Sequence, residues 1–243
     1  MSKLAFRSIA VSRPISVVLS IVAGYVDGCT YLGLFGAFVA QLTGSFVLAG
    51  TQFIKSEPGA FAKLLAIPFF FFAGMAVTIL AHSMRERPRA ALAWSLAVEC
   101  ILLIGFLASS LASMPFRSPD APGAVIALMF GMTAMGAQSA IVRLLMRGMP
   151  STNVMTTNTT LLAINTAEIL LGSIERWKAG VRAGSNADYI RARAEFAVLL
   201  AIELGFLGGT ALGAIAYITV GLLCVSLAVL PIGGLAVWYM RHM

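Results

Sequence analysis

Long apolar runs limit what this chain can fold into. Six of them can cross a hydrocarbon layer of about 30 Å, which takes roughly 17–25 helical residues. They are Pro14 to Phe35, Phe61 to His82, Ala91 to Leu111, Gly123 to Leu145, Glu195 to Tyr217 and Thr219 to Tyr239. In lipid every backbone polar group must be paired within the chain, which a helix achieves segment by segment. Of the 243 residues, 59% are hydrophobic and 11% charged, against about 45–50% and about 25% in soluble domains. No stretch between the runs is polar enough to fold separately. The expectation is one all-α integral membrane domain over residues 1–243.

The net charge of +7 would point to nucleic acid in a soluble chain. Here the cations fall in short connections between apolar runs, where they orient a membrane protein and meet anionic headgroups. Membrane lipids, not nucleic acid, are therefore the expected partners. Cys29, Cys100 and Cys224 lie in apolar stretches without paired spacing, so they read as packing residues and not as a disulfide framework or metal site. Lys3, Arg7 and Arg13 precede the first run as in a signal peptide, but Asp27 and the lack of a small-residue cleavage pattern favour an uncleaved span.

Two further runs, Ala37 to Ile54 and Asn153 to Leu171, are apolar at one end and crowded with Thr, Gln, Asn, Ser or Gly at the other. Charge decides how they sit. If both enter the membrane and return to the same side, with a cytoplasmic amino terminus, only Lys55, Lys63 and Arg117 face outward. If both cross, the Arg85, Arg87 and Arg89 cluster and the Arg143/Arg147 pair face outward, against the positive-inside bias. The expected topology is six transmembrane helices plus two re-entrant or broken segments, multipass with both termini cytoplasmic. The polar connection 172–194 interleaves Arg176, Lys178 and Arg182 with Ile174, Trp177 and Tyr189. It reads as an amphipathic stretch along the cytoplasmic surface or as a solvated loop.

The sequence also resembles itself. Gly24-Tyr-Val-Asp27-Gly-Cys-Thr-Tyr-Leu32 in the first span matches Gly136-Ala-Gln-Ser139-Ala-Ile-Val-Arg-Leu144 in the fourth. Each is followed at nearly equal distance by a Thr-rich turn, Gln41-Leu-Thr43-Gly44-Ser45 and Met155-Thr156-Thr157-Asn158-Thr159-Thr160. Two halves, 14–111 and 123–239, each with three crossings, must run through the bilayer in opposite directions. Such an inverted 3+3 repeat is a recurrent transporter design, with polar sites near the midplane between the halves.

Gly24-Tyr25-Val26-Asp27, Thr43-Gly44-Ser45, Gly136-Ala137-Gln138-Ser139-Ala140 and Thr156-Thr157-Asn158 resemble the YoaK family of multipass bacterial membrane proteins, a family of unknown function. The resemblance covers most of the chain. Its first turn usually reads Thr-Gly-Asn and its second Thr-Gly-Thr or similar, so Ser45 and Thr157 are departures. It implies a six-span protein of the bacterial inner membrane and supplies no substrate.

Chemistry must come from the polar residues. Asp27 lies about halfway along the first span, where an ionised carboxylate needs a polar cavity or a partner. Thr43, Gly44, Ser45, Thr156, Thr157, Asn158 and Thr159 open short helices with hydroxyls and backbone N–H groups, which bind anionic or carbonyl groups of solutes, or simply cap the helices. Gln41, Gln138 and Asn153 add amides that line the same site or glue helices together. Glu99 and Glu203 are isolated acids in apolar surroundings; burial disfavours the ionised form, which makes them candidate proton carriers. The two histidines, His82 and His242, lie near span ends, so no intramembrane histidine metal site or Ser–His dyad is assembled. Without nucleotide or cofactor motifs, the expectation is a non-enzyme with no cofactor and no metal. It is read as a secondary transporter of a small polar or anionic solute with a midplane site. A non-transporting scaffold for lipid or a membrane partner, and a passive channel, are the alternatives; a homodimer is left open.

Overall fold

A computed structural model describes residues 13–146, 148–179 and 187–243. Among these residues all regular structure is helical: α1 (Arg13–Gly33), α2 (Leu42–Lys55), α3 (Ala60–Ser83), α4 (Pro88–Ser113), α5 (Pro122–Leu145), α6 (Met155–Ala179), α7 (Ala187–Val220) and α8 (Ser226–Arg241), with a 3₁₀ turn over Gly221–Val225. Five stretches are long and apolar enough to cross a membrane, the last being the 55-residue Ala187–Arg241. At about 1.5 Å per residue, 55 residues far exceed one bilayer. The stretch breaks at Gly221, whose φ of +62° favours a residue without Cβ. The start of this break lies against Met114 at the end of α4, whereas the final Met243 lines a cavity with Arg87 and Pro88 at the start of α4. Helix α8 therefore runs back along α4. The chain is a multi-helix apolar membrane protein.

Small residues set the closest helix contact. A Cβ on Gly24 or Gly28 would overlap the carbonyls of Phe206 and Thr210, and one on Gly209 or Gly213 would overlap those of Ile21 and Tyr25. Both helices carry Gly-x-x-x-Gly, which lets two backbones touch where lipid offers no hydrophobic drive for association. The contact is parallel, since Ile21 meets Gly209 and Tyr25 meets Gly213. Helices α3 and α5 are parallel in the same way, with Gly136 on the backbone of Phe70 and Ala140 beside Gly74. Phe71 and Ile79 of α3 are left 66% and 61% exposed, an outer face suited to lipid.

Helix α2 doubles back. Its Leu42 lies with Phe70 and Gly74 partway along α3. Near its other end, Gln52 Oε1 accepts a bond of 3.0 Å from Lys63 Nζ, which also reaches Phe35 O, just past α1, at 3.5 Å. Helix α2 thus starts deep in the molecule and ends level with the end of α1. Lys63 is 1% exposed. Close by, Asp120 takes the Gly59 and Ala62 N–H groups at the start of α3 at 2.7 and 3.3 Å. Helix α6 behaves similarly at the opposite end: it begins where Thr159 meets Glu203 and ends where Gly172 packs on Tyr189 near the start of α7.

Several boundaries differ from expectation. The last span begins at Ser226, not Thr219, because α7 continues to Val220 and the 3₁₀ turn follows. The stretch 172–194 is described at its two ends only. Its beginning prolongs α6 and its end opens α7, and Arg176 and Arg193 both lie over the Tyr189 ring, at 4.9 and 5.8 Å from its centroid. Arg182 in its middle, like Lys3, Arg7 and Arg147, lies outside the described residues. Two of the cysteines meet: Cys29 Sγ and Cys224 Sγ are 2.9 Å apart and both buried.

Two outcomes check this packing. Gly209→Leu should lower the melting midpoint in detergent, with overpacking costing about 1–3 kcal/mol, whereas Gly208→Leu, which meets nothing within 4 Å, should leave it nearly unchanged; equal effects would contradict the α1–α7 contact. Mild oxidation of the folded protein should link Cys29 to Cys224 and leave Cys100 free to alkylate after denaturation. Full alkylation of all three cysteines would show that the 3₁₀ turn does not sit on α1.

Candidate functional site: two chain reversals and their cavities

A buried chain reversal must satisfy the N–H and C=O groups of the turn itself. Asp27, 2% exposed in α1, does this for the first reversal. Its Oδ1 accepts the N–H groups of Val39 and Ala40 at 2.8 and 2.7 Å. Ser45 Oγ then donates back to Phe38 O at 2.6 Å. Helix α2 has no side-chain cap; the carboxylate serves the turn just before it, and the hydroxyl of Ser45 bonds back to that turn instead of capping the helix.

The second reversal, 146–154, uses neutral groups. Gln138 Nε2 of α5 donates to Thr152 Oγ1 at 3.2 Å and to Leu19 O of α1 at 2.9 Å. Ser20 Oγ lies within hydrogen-bond range of Thr152 O and Ile202 O, at 3.3 and 2.8 Å. Ser139 and Ser151 both donate to Asn153 Oδ1, at 3.4 and 3.2 Å. Asn158 Nδ2 donates back to Ser151 O at 2.6 Å, the same seven-residue return that Ser45 makes to Phe38.

The correspondence extends to what surrounds each reversal. Val39 of the first packs on Gly131 of α5, and Thr152 of the second bonds beside Leu19 and Ser20 of α1. Each reversal thus rests on the helix that precedes the other reversal. A cavity of about 260 Å³ beside the first is lined by Asp27, Gly28, Tyr31, Leu32, Phe38 and Gln41, with Thr210 and Ala214 from α7. A cavity of about 780 Å³ beside the second includes Ser139, Ala140, Arg143, Leu144, Ser151 and Val154, with Gly74 and Thr78 from α3. Counted from the Gly24–Gly136 match, with one extra residue in the second reversal, and from the Phe206 and Phe70 contacts, all eight positions pair in order. Their chemistry differs: Tyr31 stacks on Phe38 with centroids 5.2 Å apart in the first, and the second has Arg143 and Ser151 in those places.

The expected site residues do not converge on one pocket. Asp27, Ser45, Gln138, Asn153 and Asn158 are buried and hold the reversals in place. Gln41 lines the first cavity with Asp27. Gly44 is half-buried against the Phe38 ring. Thr43, Thr156, Thr157 and Thr159 lie on exposed helix faces, so they do not form a shared lining. Thr159 donates to Glu203 Oε1 at 2.6 Å, joining α6 to α7. Glu99 is fully buried in α4, and neither of its oxygens has a protein partner. One turn earlier Ser95 Oγ is likewise buried without one, as are Asp27 Oδ2 and Gln138 Oε1. Thr152 and Ser20 were missed from sequence; the spacing of Ser16 and Ser20 on one face of α1 was the available signal.

Residues 15–238 match a family model described as "Protein of unknown function (DUF1275)". No curated protein and no solved structure matches the chain. Because the match spans nearly the whole sequence, the chain belongs to this family, that of the YoaK-like membrane proteins of unknown function.

Proposed function

We propose that the protein is a secondary transporter of a small polar solute in the bacterial inner membrane, built as an inverted repeat. The halves cross six times through α1, α3, α4, α5, α7 and α8, while α2 and α6 enter from opposite faces and turn back. The observation that carries this reading is the pair of cavities lined by eight corresponding positions. Parallel contacts at Gly24–Phe206 and Gly136–Phe70 support it, and so does the exchange by which each reversal sits on the other half's first helix. Two halves with the same contacts in opposite orientation can adopt two mirrored states, each opening one of the two cavities, which is the basis of alternating access. Both termini then face the cytoplasm, and the Arg85–Arg89 cluster lies inside.

Within this frame Asp27 has two tasks. One oxygen fixes the first reversal, and the other, without a protein partner, is offered to a solute that carries a hydrogen-bond donor, with Gln41 beside it. Glu99 is the sole carboxylate on α4, α5 and α8. A buried acid without partners costs several kcal/mol if ionised, so it suits a group that is neutral in one state and releases its proton in the other. We assign the proton-coupling role to Glu99 over Glu203, which Thr159 already engages.

One observation favours a second reading: the outward faces of Thr43, Thr156 and Thr157 suit a scaffold that binds a membrane partner and moves nothing. Uptake into proteoliposomes separates the two. With a panel of small amines, amino acids and organic acids, the wild type should accumulate at least one solute when a pH gradient is imposed. Asp27→Asn should cut that uptake at least about tenfold, and Glu99→Gln should remove its dependence on the gradient while leaving exchange intact, since lost transition-state or coupling interactions act on rate. Unchanged uptake in Asp27→Asn would overturn the site, and no uptake of any solute by well-folded protein would favour the scaffold.

A further inference from the structure

The two cavities share a scaffold, so their differences show what each is fitted for. The first is narrowed by the Tyr31–Phe38 stack and carries an acid, Asp27. In the second, Arg143 replaces Tyr31, Ser151 replaces Phe38 and Ser139 replaces Asp27, and the volume rises to about 780 Å³. That volume suits part of a lipid or a drug-sized molecule. Its far wall is the apolar, exposed face of α3 formed by Phe71, Met75 and Ile79.

Arg143 sits in the last turn of α5, opposite Thr78 and Ile79, which lie shortly before α3 ends at Ser83. Arg143 therefore lies toward the end of the molecule that carries Arg85 and Arg87, where the proposed topology puts the cytoplasmic headgroups. Arg143 makes no hydrogen bond or ion pair with any described residue, and no acid lines the cavity. The Ser139 and Ser151 hydroxyls at its base donate to Asn153 over 3.4 and 3.2 Å, bonds long enough for a rotated hydroxyl to exchange for an anionic oxygen.

We propose that this cavity binds one anionic phospholipid of the cytoplasmic leaflet, with the phosphate on Arg143 and the Ser139 and Ser151 hydroxyls, and an acyl chain along Phe71, Met75 and Ile79. An unpaired guanidinium matches a phosphate diester in charge and in its forked donors, and basic pockets between membrane helices on this face take anionic headgroups. The open apolar wall distinguishes the site from one for a free small anion. The inference does not depend on transport: a scaffold with this cavity would hold the same lipid.

Native mass spectrometry of the full-length protein, released from mixed phosphatidylglycerol and phosphatidylcholine micelles, tests it. The wild type should retain a single phosphatidylglycerol at least about fivefold over phosphatidylcholine, a preference of the size a few charge-assisted contacts give. Arg143→Gln should abolish the preference and Arg143→Lys should keep part of it. Gly74→Leu keeps the arginine and fills the cavity, because a Cβ there meets only Ala140 at 4.0 Å; it too should lose the bound lipid. Arg117→Gln, at the other end of the molecule, should change nothing. The proposal is overturned if both lipids are retained equally, if Arg117→Gln loses the lipid as Arg143→Gln does, if Gly74→Leu retains it, or if inorganic phosphate displaces it completely.

Discussion

The fold depends on one hydrogen-bonded arrangement, in which Asp27 Oδ1 accepts the Val39 and Ala40 N–H groups. A turn buried in an apolar membrane core exposes backbone donors that cannot reach water, and each unpaired group costs several kcal/mol. A single carboxylate oxygen accepts both donors at once and carries the charge that strengthens each bond. Satisfying the turn allows α2 to start deep and climb back beside α3, to the level of the end of α1. That return in turn sets the depth of Gln41, the cavity against α7 and the position of Lys63 between Gln52 and Phe35.

The second reversal meets the same requirement with different chemistry. Gln138 and Ser20 replace the single carboxylate: Gln138 ties the turn to α5 and α1, and Ser20 ties it to α1 and α7. A neutral network needs more groups for the same task, and it leaves the neighbouring cavity without an acid. The divergence of the cavities therefore follows from how each turn is held: an acid and an aromatic stack on one side, an arginine and hydroxyls on the other. The shared contacts explain why the first sits between α1 and α7 and the second between α5 and α3. The parallel approach needs a residue without Cβ at both Gly24 and Gly136.

The apolar runs made α1, α3, α4 and α5 legible to within a few residues, because lipid imposes a length that sequence displays directly. For α2, charge favours a return over a full crossing, since crossing would put the Arg85–Arg89 cluster outside. The boundary between α7 and α8 was not, because Thr219, Val220 and the residues after Gly221 are equally apolar and only a positive φ marks the break. A carboxylate in a span signals a polar surrounding, but sequence does not say whether that surrounding is a solute or the chain's own backbone. The Thr-rich motif misled for a related reason: helical spacing puts Thr43, Thr156 and Thr157 on the outer faces of α2 and α6, while Ser45 and Asn158 turn inward and carry the bonds.

The central claim is that the segments after α1 and α5 turn back at depth. Single cysteines at Phe35, Ser56 and Arg85, probed from each side of sealed vesicles with a membrane-impermeant thiol reagent, test it most directly. The account predicts that positions 35 and 56 react from one side and position 85 from the other. Reaction of 56 together with 85, opposite to 35, would mean that α2 threads the bilayer, and the paired reversals would have to be abandoned.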